Sequence, residues 1–176
     1  MDSQTKFVTL FTSQQIAARI DELASEIQRD YRDKHPLLLG VLKGSFIFLA
    51  DMVRRLDFPL ELDFIRVASY GAGQESSGQV RLVSEPVASV RDRHVLLVED
   101  IIDTGLTTGF IRGWLEEREA ASIKLCSLLD KPSRRQRPIE VDYRGFTVPD
   151  RFLVGYGLDL NEEHRNLPGI YFIDGE

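Results

Sequence analysis

A single cysteine, Cys126, stands in the 176 residues, so no disulfide can form within the chain and a reducing, cytoplasmic setting is expected. It lies in the apolar run Ile123 to Leu129, which suits a buried structural thiol rather than a nucleophile. Positive charge is also in deficit. With 22 Lys and Arg against 28 Asp and Glu, the formal net charge is -6, where a general nucleic-acid binder would show a basic excess. No apolar run approaches membrane-spanning length, so neither nucleic acid nor membrane is an expected partner. The opening residues MDSQTKFVTL lack a basic start leading into an apolar core, which argues against a secretory signal. The 3 histidines, His35, His94 and His164, fall far apart without metal-ligand spacing, and His94 is expected to begin a strand near the surface. GxGxxG after the first strand and GxxxxGK are both missing, which removes the usual dinucleotide and P-loop readings.

The remaining composition is ordinary in bulk, 43% hydrophobic and 28% charged, and the chain is long enough for one domain over residues 1–176 with helices on both sides of a sheet. Thr12-Ser13-Gln14-Gln15 reads as a capping box, and Ile16, Ile20, Leu23, Ile27 and Tyr31 continue at helical spacing. PLLLGVL, residues 36–42, predicts a buried strand, followed by Lys43-Gly44-Ser45 and a helix from about Phe46 to Arg55. That is the first half of a doubly wound α/β unit with a parallel sheet. Residues 61–68 and 79–84 predict strands around SYGAGQESSG, whose small, polar composition suits a hairpin tip. Residues 122–129 predict another strand. Residues 130–150, with Pro132, Pro138 and Pro149, read as irregular, and FLVGY at 152–156 gives the last strand signal.

The densest chemistry is in residues 95–109, VLLVEDIIDTGLTTG. Val95 to Val98 predict a strand buried on both faces, and the residues after Val98 are expected to leave the core. Glu99, Asp100 and Asp103 put carboxylates at the strand's carboxyl end, where open α/β sheets bind ligands. Thr104-Gly105-Leu106-Thr107-Thr108-Gly109 then precedes the periodic Phe110, Ile111, Trp114 and Leu115, a helix start with Thr107 or Thr108 as cap. Free N–H groups there suit a phosphate. Carboxylates beside an anion seat would repel bare phosphate, so the ligand should carry hydroxyl donors or a cation between them. A ribose phosphate fits, with its vicinal hydroxyls donating to Glu99 and Asp100, and magnesium (Mg2+) sharing its shell between carboxylates and phosphate oxygens.

This segment resembles the phosphoribosyl pyrophosphate signature of the type I phosphoribosyltransferases, and EDIIDTG is similar to the form in the hypoxanthine-guanine enzymes. VLKGSFIFLADMVRRL and DRFLVGYGLDLNEEHRNLP resemble further stretches of that family in the expected order. The resemblance implies a doubly wound sheet with a small hood and a flexible hairpin lid. It implies transfer of a 5-phosphoribosyl group from phosphoribosyl pyrophosphate to N9 of a 6-oxopurine base, with Asp103 as general base at N7. Thr104, Gly105, Leu106 and Thr107 would seat the 5′-phosphate. Lys43 and Gly44, whose mutual peptide bond is commonly cis in the family, would hold pyrophosphate with Ser69, Tyr70 and Arg165. Lys131 would donate to the oxygen at C6, Phe152 would stack on the purine and Leu153 would read its edge. Glu99 and Asp100 would serve as metal ligands, Asp159 would contact a second magnesium or the base's 2-position, and a homodimer or homotetramer would be expected. From the residues alone, Lys43-Gly44 is equally a plain turn, Lys131 a solvated lysine and Asp159 with Arg165 solvated helix-face charges.

Leu106 stands where some members of the family have lysine, which removes one phosphate contact. The run Arg134-Arg135-Gln136-Arg137 matches no family motif and reads as a solvated loop, with an interface or nucleotide-rim role second. An RNA-binding regulator on the same fold is opposed by Asp103 and by the net charge. An adenine or pyrimidine enzyme is opposed by Asp103 together with Lys131.

Overall fold

The computed structural model describes residues 7–70 and 79–173. Their order is β1 (Phe7–Phe11), α1 (Ser13–Tyr31), β2 (Leu37–Leu42), α2 (Phe46–Val53), β3 (Glu61–Tyr70), β4 (Gln79–Ser84), β5 (His94–Ile102), α3 (Leu106–Glu117), β6 (Ser122–Asp130), a 3-10 turn (Pro132–Arg134), β7 (Tyr143–Thr147), β8 (Leu153–Val154) and β9 (Ile170–Ile173).

α1 starts where the sequence places it. Gln15 donates its N–H to Thr12 Oγ1 at 3.3 Å while Thr12 N–H reaches back to Gln15 Oε1 at 2.9 Å, a complete capping box. Ile16, Ile20, Leu23, Ile27 and Tyr31 are all buried. They pack with Phe48, Leu49 and Met52 of α2 on one face of the main sheet, against Leu38, Leu96, Val98, Cys126 and Leu128. The alternate residues Leu37, Leu39, Val41, Val95, Leu97 and Leu125 face the other way, onto Ile111, Trp114 and Leu115 of α3. The period of two along each strand thus builds a core on both sides, the expected doubly wound arrangement.

The main sheet runs β4-β3-β2-β5-β6-β7. All its pairings are parallel except β3 with β4. The chain moves outward from β2 to β3 and then returns to β5 on the other side of β2. The carboxyl ends of β2 and β5 therefore flank the switch point at which such sheets bind ligands. A second sheet, β1-β9-β8, is antiparallel and corresponds to the expected hood. No described helix is long and apolar enough to cross a membrane.

Several expectations are corrected. β5 does not end at Val98: its pairing with β6 continues through Glu99↔Ser127 and Ile102↔Asp130, so Glu99 and Ile102 are buried rather than leaving the core. The N-cap of α3 is Gly105, left-handed with φ 81° and without a side chain to cap the helix, while Thr104 Oγ1 accepts from Leu106 N–H at 3.4 Å; Thr107 and Thr108 lie inside the first turn. Residues 143–147 are not irregular but form β7, an edge strand fixed by Arg19, which donates to Gly145 O at 3.0 Å and Arg144 O at 2.6 Å. The 152–156 signal shrinks to two residues, because Gly155, Tyr156 and Gly157 turn away with positive φ. The cis peptide bond is Leu42–Lys43, not Lys43–Gly44. The hairpin tip, 71–78, lies outside the described residues, as do the side chains of Ser69 and Tyr70; the backbone of that pair ends β3 opposite Val80 and Gln79.

Candidate active site

β5 and the residue just beyond it deliver Glu99, Asp100 and Asp103 toward the switch point, Glu99 buried and the two aspartates partly exposed. Glu99 is 4% exposed and accepts from Thr108 Oγ1 at 3.3 Å, so the threonine expected as a cap binds the buried acid instead. Burial first, then the adjacent Asp100, holds the Glu99 carboxyl well above the usual carboxylate range, with the Thr108 hydrogen bond working against them. Asp100 is pushed up to about 6, mainly by burial, offset by the Ile101 N–H and by the charge of Arg165. Asp103 is more open, yet its Oδ1 is buried without a hydrogen-bond partner.

The turn after Asp103 is braced from outside. Gln136 and Arg137 donate their N–H groups to Thr104 O at 2.9 and 3.1 Å, and the Arg137 side chain lies against Gly109. Arg135 pairs with the buried Asp130, while Arg134 Nε lies 3.7 Å from Asp103 and 3.8 Å from Asp150. The basic run is therefore divided: Arg135 and Arg137 support the turn, and Arg134 stands at the rim. The first N–H groups of α3 have no helical acceptor; that of Leu106 donates to Thr104 Oγ1 at 3.4 Å, and Thr104, Gly105, Thr107 and Thr108 line the cleft.

From β2, Gly44 reaches the same point. A Cβ there would lie 1.6 Å from Asp100 Oδ2, and a Cβ on Gly157 would lie 2.1 Å from Gly44 O. Gly44 is thus packed between an acid and a second glycine, a contact that sequence alone does not show because Gly157 reads only as part of FLVGYG. Lys43 pairs with Glu162, likewise hidden within the acidic segment. Arg165 pairs with Asp159 at 2.7 Å and with Glu162 at 3.3 Å, and donates to Gly157 O at 2.8 Å.

Two clefts result. One, of about 300 Å³, lies over the acids, the Thr104–Thr108 turn, Lys43-Gly44 and Arg165. The other, of about 690 Å³, is lined by Lys131, Arg134, Asp150, Phe152 and Leu153. Asp100, Asp103 and Asp159 line both, so the acids stand where the clefts meet. Lys131 is 5% exposed, with Nζ donating to Arg151 O at 2.9 Å, which rules out a solvated lysine. Phe152 is 43% exposed beside it, while Leu153 is buried.

Among the described residues, no three His, Cys, Asp or Glu side chains cluster so as to hold a metal ion by themselves. Glu99, Asp100 and Asp159 are hard oxygen donors beside a phosphate-suited turn, a set that fits magnesium when substrate oxygens and water complete its shell. His94 lies at the far end of β5, Nδ1 2.7 Å from Ser122 Oγ, and Cys126 is buried, its thiol pushed up by desolvation; neither takes part.

A phosphoribosyl transferase domain profile matches residues 8–161. The chain is 46% identical to a hypoxanthine-guanine phosphoribosyltransferase of Bacillus subtilis over 92% of its own length and 89% of that protein's. It is 44% identical to a hypoxanthine phosphoribosyltransferase of Haemophilus influenzae over 90% of both chains. The crystal structure of a hypoxanthine phosphoribosyltransferase from Staphylococcus aureus superposes with TM-score 0.91 at 40% identity, covering 98% of this chain and 96% of that one.

Proposed function

The chain belongs to the phosphoribosyltransferase family, and from that premise we infer that it is a purine salvage enzyme transferring the 5-phosphoribosyl group of phosphoribosyl pyrophosphate to N9 of hypoxanthine or guanine. The products are IMP or GMP and pyrophosphate. The observation that carries this reading is the meeting of a phosphate-suited cleft and a Lys131-lined cleft at Asp103. We take residues 1–176 as one catalytic unit. The free, buried Cys126 supports a cytoplasmic location, and a homodimer or homotetramer is the assembly the family leads us to propose.

In this reading the 5′-phosphate sits on Thr104, Gly105, Leu106 and Thr107, accepting from N–H groups at the start of α3. Glu99 and Asp100 accept from the ribose hydroxyls. Lys43, Gly44 and Arg165 hold pyrophosphate, and the family resemblance assigns Ser69 and Tyr70 to the same group. Lys131 donates to the oxygen at C6 of the purine, Phe152 stacks on the ring and Leu153 fixes its edge. The C1′–pyrophosphate bond breaks with oxocarbenium character as N9 forms its bond to C1′, and Asp103 takes the N7 proton. Glu99, Asp100 and Asp159 would hold magnesium together with the substrate's oxygens, and the ion would supply charge neutralisation for the leaving group. Arg134 Nε stands 3.7 Å from Asp103, on the rim of the purine cleft.

Pyrophosphate release measured separately with hypoxanthine, guanine, xanthine, adenine and uracil tests the assignment. Turnover confined to 6-oxopurines is expected, and none with any base would refute it. Lys131→Met should raise the KM for hypoxanthine and guanine by about 10- to 100-fold, because the C6 oxygen loses its donor in a buried site. The KM for phosphoribosyl pyrophosphate should stay constant, which separates this effect from misfolding.

The raised carboxyls give a pH dependence. Affinity for magnesium phosphoribosyl pyrophosphate, measured by calorimetry, should strengthen as pH rises through about 6 and Asp100 ionises, beyond any change due to the ligand, and Asp100→Asn should flatten that excess. Stability of the ligand-free fold should move oppositely. A carboxyl raised from 3.8 to about 6 favours the fold when protonated, so its contribution is complete below 3.8 and lost as pH rises through about 6.

A further inference from the structure

Gly155, Tyr156 and Gly157 are left-handed in succession, with φ 95°, 50° and 102°. Glycine accepts this freely, but a tyrosine needs compensation from its surroundings. Tyr156 is 7% exposed; its N–H donates to Leu167 O at 2.9 Å and its hydroxyl donates to the Asp51 carboxylate on α2. Burial and that hydrogen bond both push the phenol up, so it remains a donor throughout the working pH range.

The contact closes a ring. Gly157, next in sequence, packs against Gly44 O and accepts from Arg165 at 2.8 Å. Gly44 leads directly into α2, and Ser45 Oγ, donating to Val41 O at 2.6 Å, ties the start of that helix to β2. Asp51 lies further along α2 and returns the path to Tyr156. The ring therefore runs from Gly44 through α2 and Asp51 to Tyr156 and Gly157, and back to Gly44. Lys43 and Arg165, the two cations assigned to pyrophosphate, sit on its two arms. The Thr104–Thr108 turn links β5 to α3 and lies outside it.

We propose that Tyr156 is a positioning residue for phosphoribosyl transfer: its hydrogen bond to Asp51 clamps the 155–157 turn against α2 and sets the spacing between the Lys43-Gly44 loop and Arg165. The proposal rests on the transferase reading. Tyr156→Phe keeps the ring and removes only the donor. The KM for phosphoribosyl pyrophosphate and the inhibition constant of pyrophosphate should then rise together by about tenfold, the effect of losing one hydrogen bond to a charged group. Affinity for ribose 5-phosphate, whose seat is outside the ring, should stay at the wild-type value, and kcat should change less than KM. Asp51→Asn retains an acceptor without its charge and should raise both constants less than Asp51→Ala does. Asp51→Ala should match Tyr156→Phe, and the double variant should be no worse than either single one.

Equal weakening of pyrophosphate and ribose 5-phosphate, additive losses in the double variant, or a lowered melting temperature with unchanged KM would overturn the positioning role. Wild-type protein inactive with every base would instead overturn the transferase reading, so the two failures are distinct.

Discussion

Asp103→Asn should reduce kcat by about 10²- to 10⁴-fold while leaving the KM for phosphoribosyl pyrophosphate nearly unchanged. Asparagine reproduces the shape of the side chain and its capacity to accept at Oδ1, but has no basicity with which to take the N7 proton. The environment favours a confined effect. Oδ1 is buried without a hydrogen-bond partner, so no protein hydrogen bond to that oxygen is lost on substitution. Arg134 Nε at 3.7 Å is close enough to influence charge but too far to form a hydrogen bond that the amide would break. Steady-state kinetics, with calorimetric binding of phosphoribosyl pyrophosphate, separates two roles. Lost turnover with retained binding places Asp103 at the base, whereas lost binding would move it to the ribose and leave the proton without an acceptor.

Gly44→Ala should lower kcat/KM by about 100-fold, near the upper part of what overpacking usually costs. The added methyl would stand 1.6 Å from Asp100 Oδ2 and 2.5 Å from its Cγ. Neither side can give way easily. Asp100 is carried within β5 between Glu99 and Ile101, both paired with β6, and Gly157 already leans on Gly44 O. The loop or the acid must therefore move, and both line the smaller cleft. Asp100→Ala in the same chain should recover melting temperature without recovering activity, because it removes the clash together with a ligand group. Unchanged kinetics in Gly44→Ala would mean that this approach is looser than described.

The central segment was legible because its chemistry is local. An apolar strand, its acids and a small-residue turn are consecutive in VLLVEDIIDTGLTTG, and each leaves a pattern within a few positions. The features missed depend on partners remote in sequence. β7 is defined by its pairing with β6 and by Arg19, which lies 126 positions from Gly145. The extension of β5 through Glu99 is decided by Ser127 alongside it, since an acidic residue alone predicts exposure. Gly44, Asp100 and Gly157 meet through backbone approaches that leave no periodicity. The arginines of 134–137 share one composition, yet one faces Asp103, one a buried aspartate and one the glycine of a helix. Composition could not separate them, because the difference lies in what each one touches.

The small antiparallel sheet joins the two ends of the described chain: Phe7–Phe11 pairs with Ile170–Ile173, which in turn pairs with Leu153–Val154. During translation, every strand of the main sheet emerges before β9 does, while β1 must wait for β9, the last of the described strands. A nascent chain can thus form the phosphate turn early, but the wall that carries Leu153 is completed only when Ile170–Ile173 leaves the ribosome. Order of synthesis therefore separates the two halves of the site, and a chain arrested before β9 should acquire its sugar-phosphate side ahead of its purine side.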